Sequence, residues 1–410
     1  MKQTEIGLIP DDWEVKEIKD FADVTTGNKN TQDAVENGKY PFYVRSPIVE
    51  RINDYSFDSE GIITAGDGVG TGKVFHYAKG KFGLHQRAYL IHNFKDVEPK
   101  YFYFNFSKNF YERVHSMTAK SSVDSVRREM ITKMQIPIPP TLAEQQRIAN
   151  ALSDVDALIS TTEKLIQKKK NIKQGAMQNL LTGKKRLPGF GEKQADLFVP
   201  NGTHTKKVKD VSPEQIRLST KKKQTELGEI PEDWEVKNIG ITCNVITGGE
   251  APAIYSKDKN TLYKYPIYSN GKEVYGYHAS YTIDHDAVCI SSIGENTGDI
   301  FYYQKNFTPI IRLKVIIPKK SNIDTEFLYY CLKTIKIDTT KNGGIPNINS
   351  NDVKSINYIQ PTSKEEQTAI ANVLSSMDKE IETLNTKLEK YRNLKTAMMQ
   401  QLLTGKIRLV

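Results

Sequence analysis

Three sets of residues in this 410-residue chain have types and spacings that could do chemistry. The first is Pro10-Asp11-Asp12-Trp13-Glu14-Val15-Lys16, which returns as Pro231-Glu232-Asp233-Trp234-Glu235-Val236-Lys237. Asp11, Glu14 and Lys16 have the residue types of a metal-dependent nuclease signature. Such carboxylates normally come from separate strands so that they converge on one cation, whereas three side chains inside one turn point apart, so the run reads as scaffold. The second set is Gly66-Asp67-Gly68-Val69-Gly70-Thr71-Gly72-Lys73. A phosphate-binding loop needs Gly where Asp67 stands and Ser or Thr where Val74 stands, so that pattern fails. A tight strand-to-strand turn remains, with a counterpart at Gly294-Glu295-Asn296-Thr297-Gly298. Backbone amides there, with Thr71, Lys73, Asn296 or Thr297, can approach a DNA phosphate. The third set is Cys243, Cys289 and Cys331, which form no CxxC pair and have no histidine at metal spacing. Buried reduced thiols are expected.

Further polar residues suit a groove. Tyr40-Pro41-Phe42-Tyr43 returns as Tyr265-Pro266-Ile267-Tyr268, which makes Arg45 equivalent to Asn270. Arginine fits guanine O6 and N7, and asparagine fits adenine N6 and N7. His85-Gln86-Arg87, the stretch holding Lys120, Ser121 and Ser122, and the stretch holding Lys341, Asn342 and Asn347 are the other candidates; each is otherwise a solvated surface loop. A formal charge of +9 favours a polyanionic partner. With 38% hydrophobic residues the chain can build two or three cores. It shows no apolar run of membrane length and no signal-peptide core, so a soluble, cytoplasmic protein without membrane contact is expected.

The elements that must position these residues come in duplicate. Residues 362–404 carry Ile370, Leu374, Met377, Ile381, Leu384, Leu388 and Tyr391 at alternating steps of four and three, the seam of a coiled coil. Ser363 and Glu366 read as a capping box at the start, and Gly405 as the stop. Residues 141–182 align without a gap, Thr141 on Ser363, Glu144 on Glu366, Ile148 on Ile370 and Gln178 on Gln400. The chain thus supplies its own partner helix. Between each Trp and its helix, runs such as YPFYVRS, GIITAG, KVFHYAK and RAYLIHN alternate as strands, with a helix near Pro99–Arg113. The expected organisation is an α+β fold: a mixed domain at 1–140, a helix at 141–183, a surface linker at 184–224, a second domain at 225–361, a second helix at 362–404 and a tail at 405–410.

Taken in order, these motifs resemble the specificity subunits of type I restriction-modification systems. The resemblance rests on the duplicated Ile-Pro-x-Asp-Trp-Glu-Val-Lys, the Pro-rich step into Glu144-Gln145 and Glu366-Gln367, and Leu-Leu-Thr-Gly-Lys-x-Arg-Leu at Leu180–Leu187 and Leu402–Leu409; it covers essentially the whole chain. It implies two target recognition domains that each read half of a bipartite double-stranded DNA site. It also implies two modification subunits, which carry the adenine methyltransferase and its S-adenosylmethionine, and restriction subunits that cleave. The residues agree with a chain that chooses DNA and needs no cofactor of its own: Ile138-Pro139-Pro140-Thr141 lacks the polar and aromatic ends of an amino-methyltransferase motif. A stand-alone nuclease or a scaffold that ignores DNA are the alternatives. If the helices, each roughly 60 Å long, pack antiparallel, an approximate two-fold axis relates the copies and puts the readers at opposite ends.

Overall fold

The computed structural model describes residues 1–117, 125–191, 217–218, 221–337 and 346–409. They fall into two compact units, Met1–Leu165 with Leu384–Val410, and Ile166–Thr383.

The first unit opens with a hairpin of Lys2–Thr4 and Gly7–Ile9 that leads to the fully buried Trp13. Its main sheet has six strands in the order Asp23–Thr26, Ala88–His92, Phe57–Ala65, Phe75–Leu84, Tyr40–Tyr43 and Glu50–Ile52. The helix Pro99–Met117 places Phe102, Phe106 and Phe110 four residues apart, on one face. Their rings stack at 5.3 and 4.3 Å and share a core with Val24, Ile62 and Ile91 of the sheet. Each buried ring contributes about 1.5 to 3 kcal/mol of transfer free energy.

The second unit repeats this plan with a broken sheet. Cys243–Thr247, Lys314–Pro318, Ala287–Ile290 and Ile300–Tyr303 form one sheet, and Val274–His278, Tyr265–Tyr268 and Thr308–Pro309 a second. In the first unit the ten-residue strand Phe75–Leu84 passes through Gly80 at φ +88° and serves both regions. The equivalent position is Asn306 at φ +71°, and Asp286 beside it accepts from Lys305 N–H and Tyr302 O–H. The chain turns there, and one strand becomes two.

The long helices are Leu142–Leu180 and Lys364–Leu402. In the first unit Asp156 pairs with Lys395 at 2.6 Å and Glu163 with Arg392 at 2.8 Å. In the second, Lys169 pairs with Glu380 at 2.6 Å and Lys173 with Asp378 at 2.5 Å. Numbers rise along one helix as they fall along the other, so the packing is antiparallel in both units. These surface pairs set register more than stability; the seam itself buries Ile148, Leu152 and Leu402 in one unit and Leu180, Ile370 and Leu374 in the other.

The expected capping boxes form only by half. Thr141 and Ser363 accept from the N–H groups of Glu144 and Glu366 at 3.2 and 3.3 Å. The two glutamates do not reach back. Glu366 is instead gripped by both ends of Arg186, which also holds Asp233 at 2.8 and 2.9 Å. Glu144 is gripped by Arg408, which holds Asp12 at 2.9 and 3.0 Å. A charge-assisted fork outcompetes a neutral backbone donor. Burial pushes Glu366 above the usual carboxylate range even against the pull of Arg186.

The adjoining motif residues are structural too. Gln145 donates to Pro139 O and Asp96 O and accepts from Glu98 N–H; Gln367 repeats this with Pro361, Asn322 and Asp324. Gly183 and Gly405 stop their helices at φ +66° and +65°, and a Cβ on either would lie within 2.4 Å of Pro231 or Pro10. Each helix end is thereby seated on a Pro-Trp motif. The stretch after Gly183, expected as a surface linker, holds the buried Arg186 three residues in, and the second hairpin already starts at Lys222. Cys243, Cys289 and Cys331 are free and buried, and burial raises all three thiols.

Candidate nucleic-acid interface

In the first unit one carboxylate organises the candidate residues. Asp67, at the tip of the Gly66–Gly72 turn, accepts from Arg45 at 2.5 Å and from Arg87 at 3.0 Å. Arg45 follows the strand Tyr40–Tyr43, and Arg87 lies in the turn between Phe75–Leu84 and Ala88–His92. The turn can reach both because it carries glycine: a Cβ on Gly70 would stand 2.5 Å from Arg45 O, and one on Gly66 2.6 Å from Arg87 O. Burial pushes Asp67 up, but the bonds from Arg45 and Arg87 outweigh it and hold the carboxyl below its usual range. Two guanidinium forks are thus fixed side by side on a partly exposed surface.

Their neighbours divide into braces and surface groups. His85 is only 4% exposed, and its Nδ1 accepts from Arg87 N–H at 3.0 Å. Burial, with Arg45 adding to it, lowers its pKa and favours the neutral ring that this bond needs. Thr71 is buried, its hydroxyl donating to Gly68 O at 2.6 Å. Both work from beneath. Gln86 is exposed and donates to Asn30 Oδ1 at 2.5 Å, while Lys73 lies over the Tyr111 ring at 5.3 Å. Ser125 pairs with Asp67 as an isolated bridge, and Val126 N–H donates to Gly66 O. Lys120, Ser121 and Ser122 just before it lie outside the described residues.

The second unit builds the same corner with other side chains. Asn347 bridges Ile293, the position of Asp67, and Ile348 N–H donates to Ser292 O. Thr297 repeats Thr71, donating to Gly294 O at 2.6 Å and also to Pro346 O. Asn270 is spent on the backbone: its carbonyl accepts from Ser292 N–H at 2.8 Å and its amide donates to Ile311 O. Asn296 is exposed and accepts through its backbone from Asp299 N–H. Lys341 and Asn342 lie outside the described residues.

One residue escaped the sequence reading. Lys29 bridges His85 as Gly249 bridges Ile310, a register that puts Arg312 on Arg87. The signal was available, since Arg45 and Asn270 share the same offset of 225 residues.

Asp11 binds the N-terminal amine and Glu14 pairs with Lys16. Among the described residues no group of three or more His, Cys, Asp or Glu is placed to hold a metal. Among them too, no helix is long and apolar enough to cross a membrane.

Residues 10–173 and 231–390 match the family described as the Type I restriction modification DNA specificity domain. The chain is 28% identical to the putative type I restriction enzyme MjaX specificity subunit of Methanocaldococcus jannaschii, over 99% of this chain and 96% of that one. It is 24% identical to the type I restriction enzyme EcoDI specificity subunit of Escherichia coli, over 98% and 90%. Among solved structures, that of the type I restriction-modification S subunit from M. genitalium shares the fold, with a TM-score of 0.69 at 17% identity and 98% coverage of both chains.

Proposed function

The chain belongs to the type I restriction-modification DNA specificity family, and on that premise we propose that each unit reads one half of a bipartite, non-palindromic duplex site. The observation that carries this is the pair of equivalent corners. Their backbone scaffold is shared to the level of single hydrogen bonds, while the positions of Arg45, Asp67 and Arg87 in one are taken by Asn270, Ile293 and Arg312 in the other. One platform with different side chains reads different bases.

In this proposal the chain itself is not catalytic. Two modification subunits, holding S-adenosylmethionine, methylate an adenine in each half, and restriction subunits cleave unmodified DNA; the complex works in the cytoplasm. Mapping methylated adenines in the host genome with this gene intact and deleted tests it. A split, asymmetric methylation motif that vanishes on deletion is expected. Loss of no motif sinks the reading, and magnesium-dependent cleavage by the purified chain alone would favour a nuclease instead.

A further inference from the structure

We infer that Arg312 is the specificity-determining residue of the second unit, reading a guanine in the half-site that unit recognises; this rests on the DNA-reading function proposed above. The turn carrying it is held in an uncommon shape. Ile311 and Arg312 are both left-handed, at φ +51° and +59°, a region costly for a β-branched residue. Four bonds impose it. Ile311 N–H donates to Gly249 O at 2.7 Å and Arg312 N–H to Gly248 O at 3.1 Å. Ser292 Oγ donates to Arg312 O at 2.6 Å, and Asn270 donates to Ile311 O.

Every backbone group of the pair is satisfied, and both residues are exposed. The guanidinium of Arg312 makes no hydrogen bond or ion pair among the described residues. Arg87, at the equivalent place, is tied to Asp67, but Ile293 replaces that carboxylate. The fork, unpaired among the described residues, stands at the edge of a shallow cleft of about 620 Å³ lined by Thr247, Gly248, Gly249, Glu250, Ile293 and Ile311. A rigid turn, a planar donor unpaired among the described residues and a cleft whose lining carries no charge besides Glu250 and Arg312 itself suit a base edge, and the two parallel donors of a guanidinium match O6 and N7 of guanine. Asn270, whose side-chain oxygen and amide are both engaged, is the brace of this reader.

The test uses the full chain assembled with its modification subunits. Genomic methylation by Arg312→Ala should become degenerate at one G·C pair of one half-site and leave the other half unchanged. Arg312→Lys, which keeps the charge and loses the fork, should relax the same pair. In binding assays, 7-deazaguanine at that position should weaken the wild type roughly tenfold and weaken Arg312→Ala no further. An unchanged motif with Arg312→Ala, or a uniform loss across all sequences, would overturn the inference and indicate a bystander or a phosphate contact. Absence of any split motif with the wild type would overturn the underlying reading as well, so the two failures are distinguishable.

Discussion

Asp67 ties two arginines to one carboxylate, and on the proposed reading this pre-organises the surface with which the first unit would discriminate. Free arginines lose side-chain freedom when they bind, roughly 0.5 to 1.5 kcal/mol each; held by Asp67 they have already lost it. Asp67→Asn should therefore lower discrimination in the half-site of the first unit, while non-specific affinity rises because one negative charge has gone. Competition binding with specific and random duplexes measures both, and unchanged discrimination would refute the pre-organising role. The acid response follows from the sign of the shift. A carboxyl held below its usual value adds stability that is present above about pH 4 and is lost as pH falls through the depressed folded value. The variant should lack that component of acid unfolding.

At the scale of elements, the forks at Arg186 and Arg408 join each helix terminus to a Trp motif. Arg186 and Glu366 have side chains only 6% and 1% exposed, so Arg186→Ala leaves a buried carboxylate without its cation. A loss of about 3 to 5 kcal/mol is expected. Arg408→Ala should cost less, since that side chain is 27% exposed. Denaturant unfolding measures both, and equal, negligible effects would show that the seam alone holds the helix ends. These forks also mark the limit of what the sequence discloses. Helix positions, strand runs and the duplication are local or periodic signals, and they were legible. Arg186 and Glu366 lie 180 residues apart, and Arg186 follows Lys184 and Lys185 in what reads as solvated charge. Glu366 looked like a local cap because its partner was out of sight. Arg312 was hidden differently: the register between copies moves from 221 residues at the Trp motifs to 225 and 226 in the strand region and 222 at the long helices, which blurs single-residue equivalence.

At the scale of the whole molecule, the first long helix begins in one unit and ends in the other, and the second runs the reverse course. If the helices set the distance between the two readers, lengthening both should change what the readers reach together. Four residues inserted at matched places in both helices add about 6 Å and about 40° of rotation. Duplex DNA rises about 3.4 Å per base pair and turns by roughly 35° in the same right-handed sense. One or two extra base pairs would nearly match both the translation and the rotation, so neither corner would lose its groove. The variant should methylate the same two half-sites separated by a spacer one or two base pairs longer, with affinity reduced by the disturbed seam. Genomic methylation mapping reads this directly. An unchanged spacer, or altered half-site sequences, would show that the helices only hold the units together and that the distance between half-sites is set elsewhere.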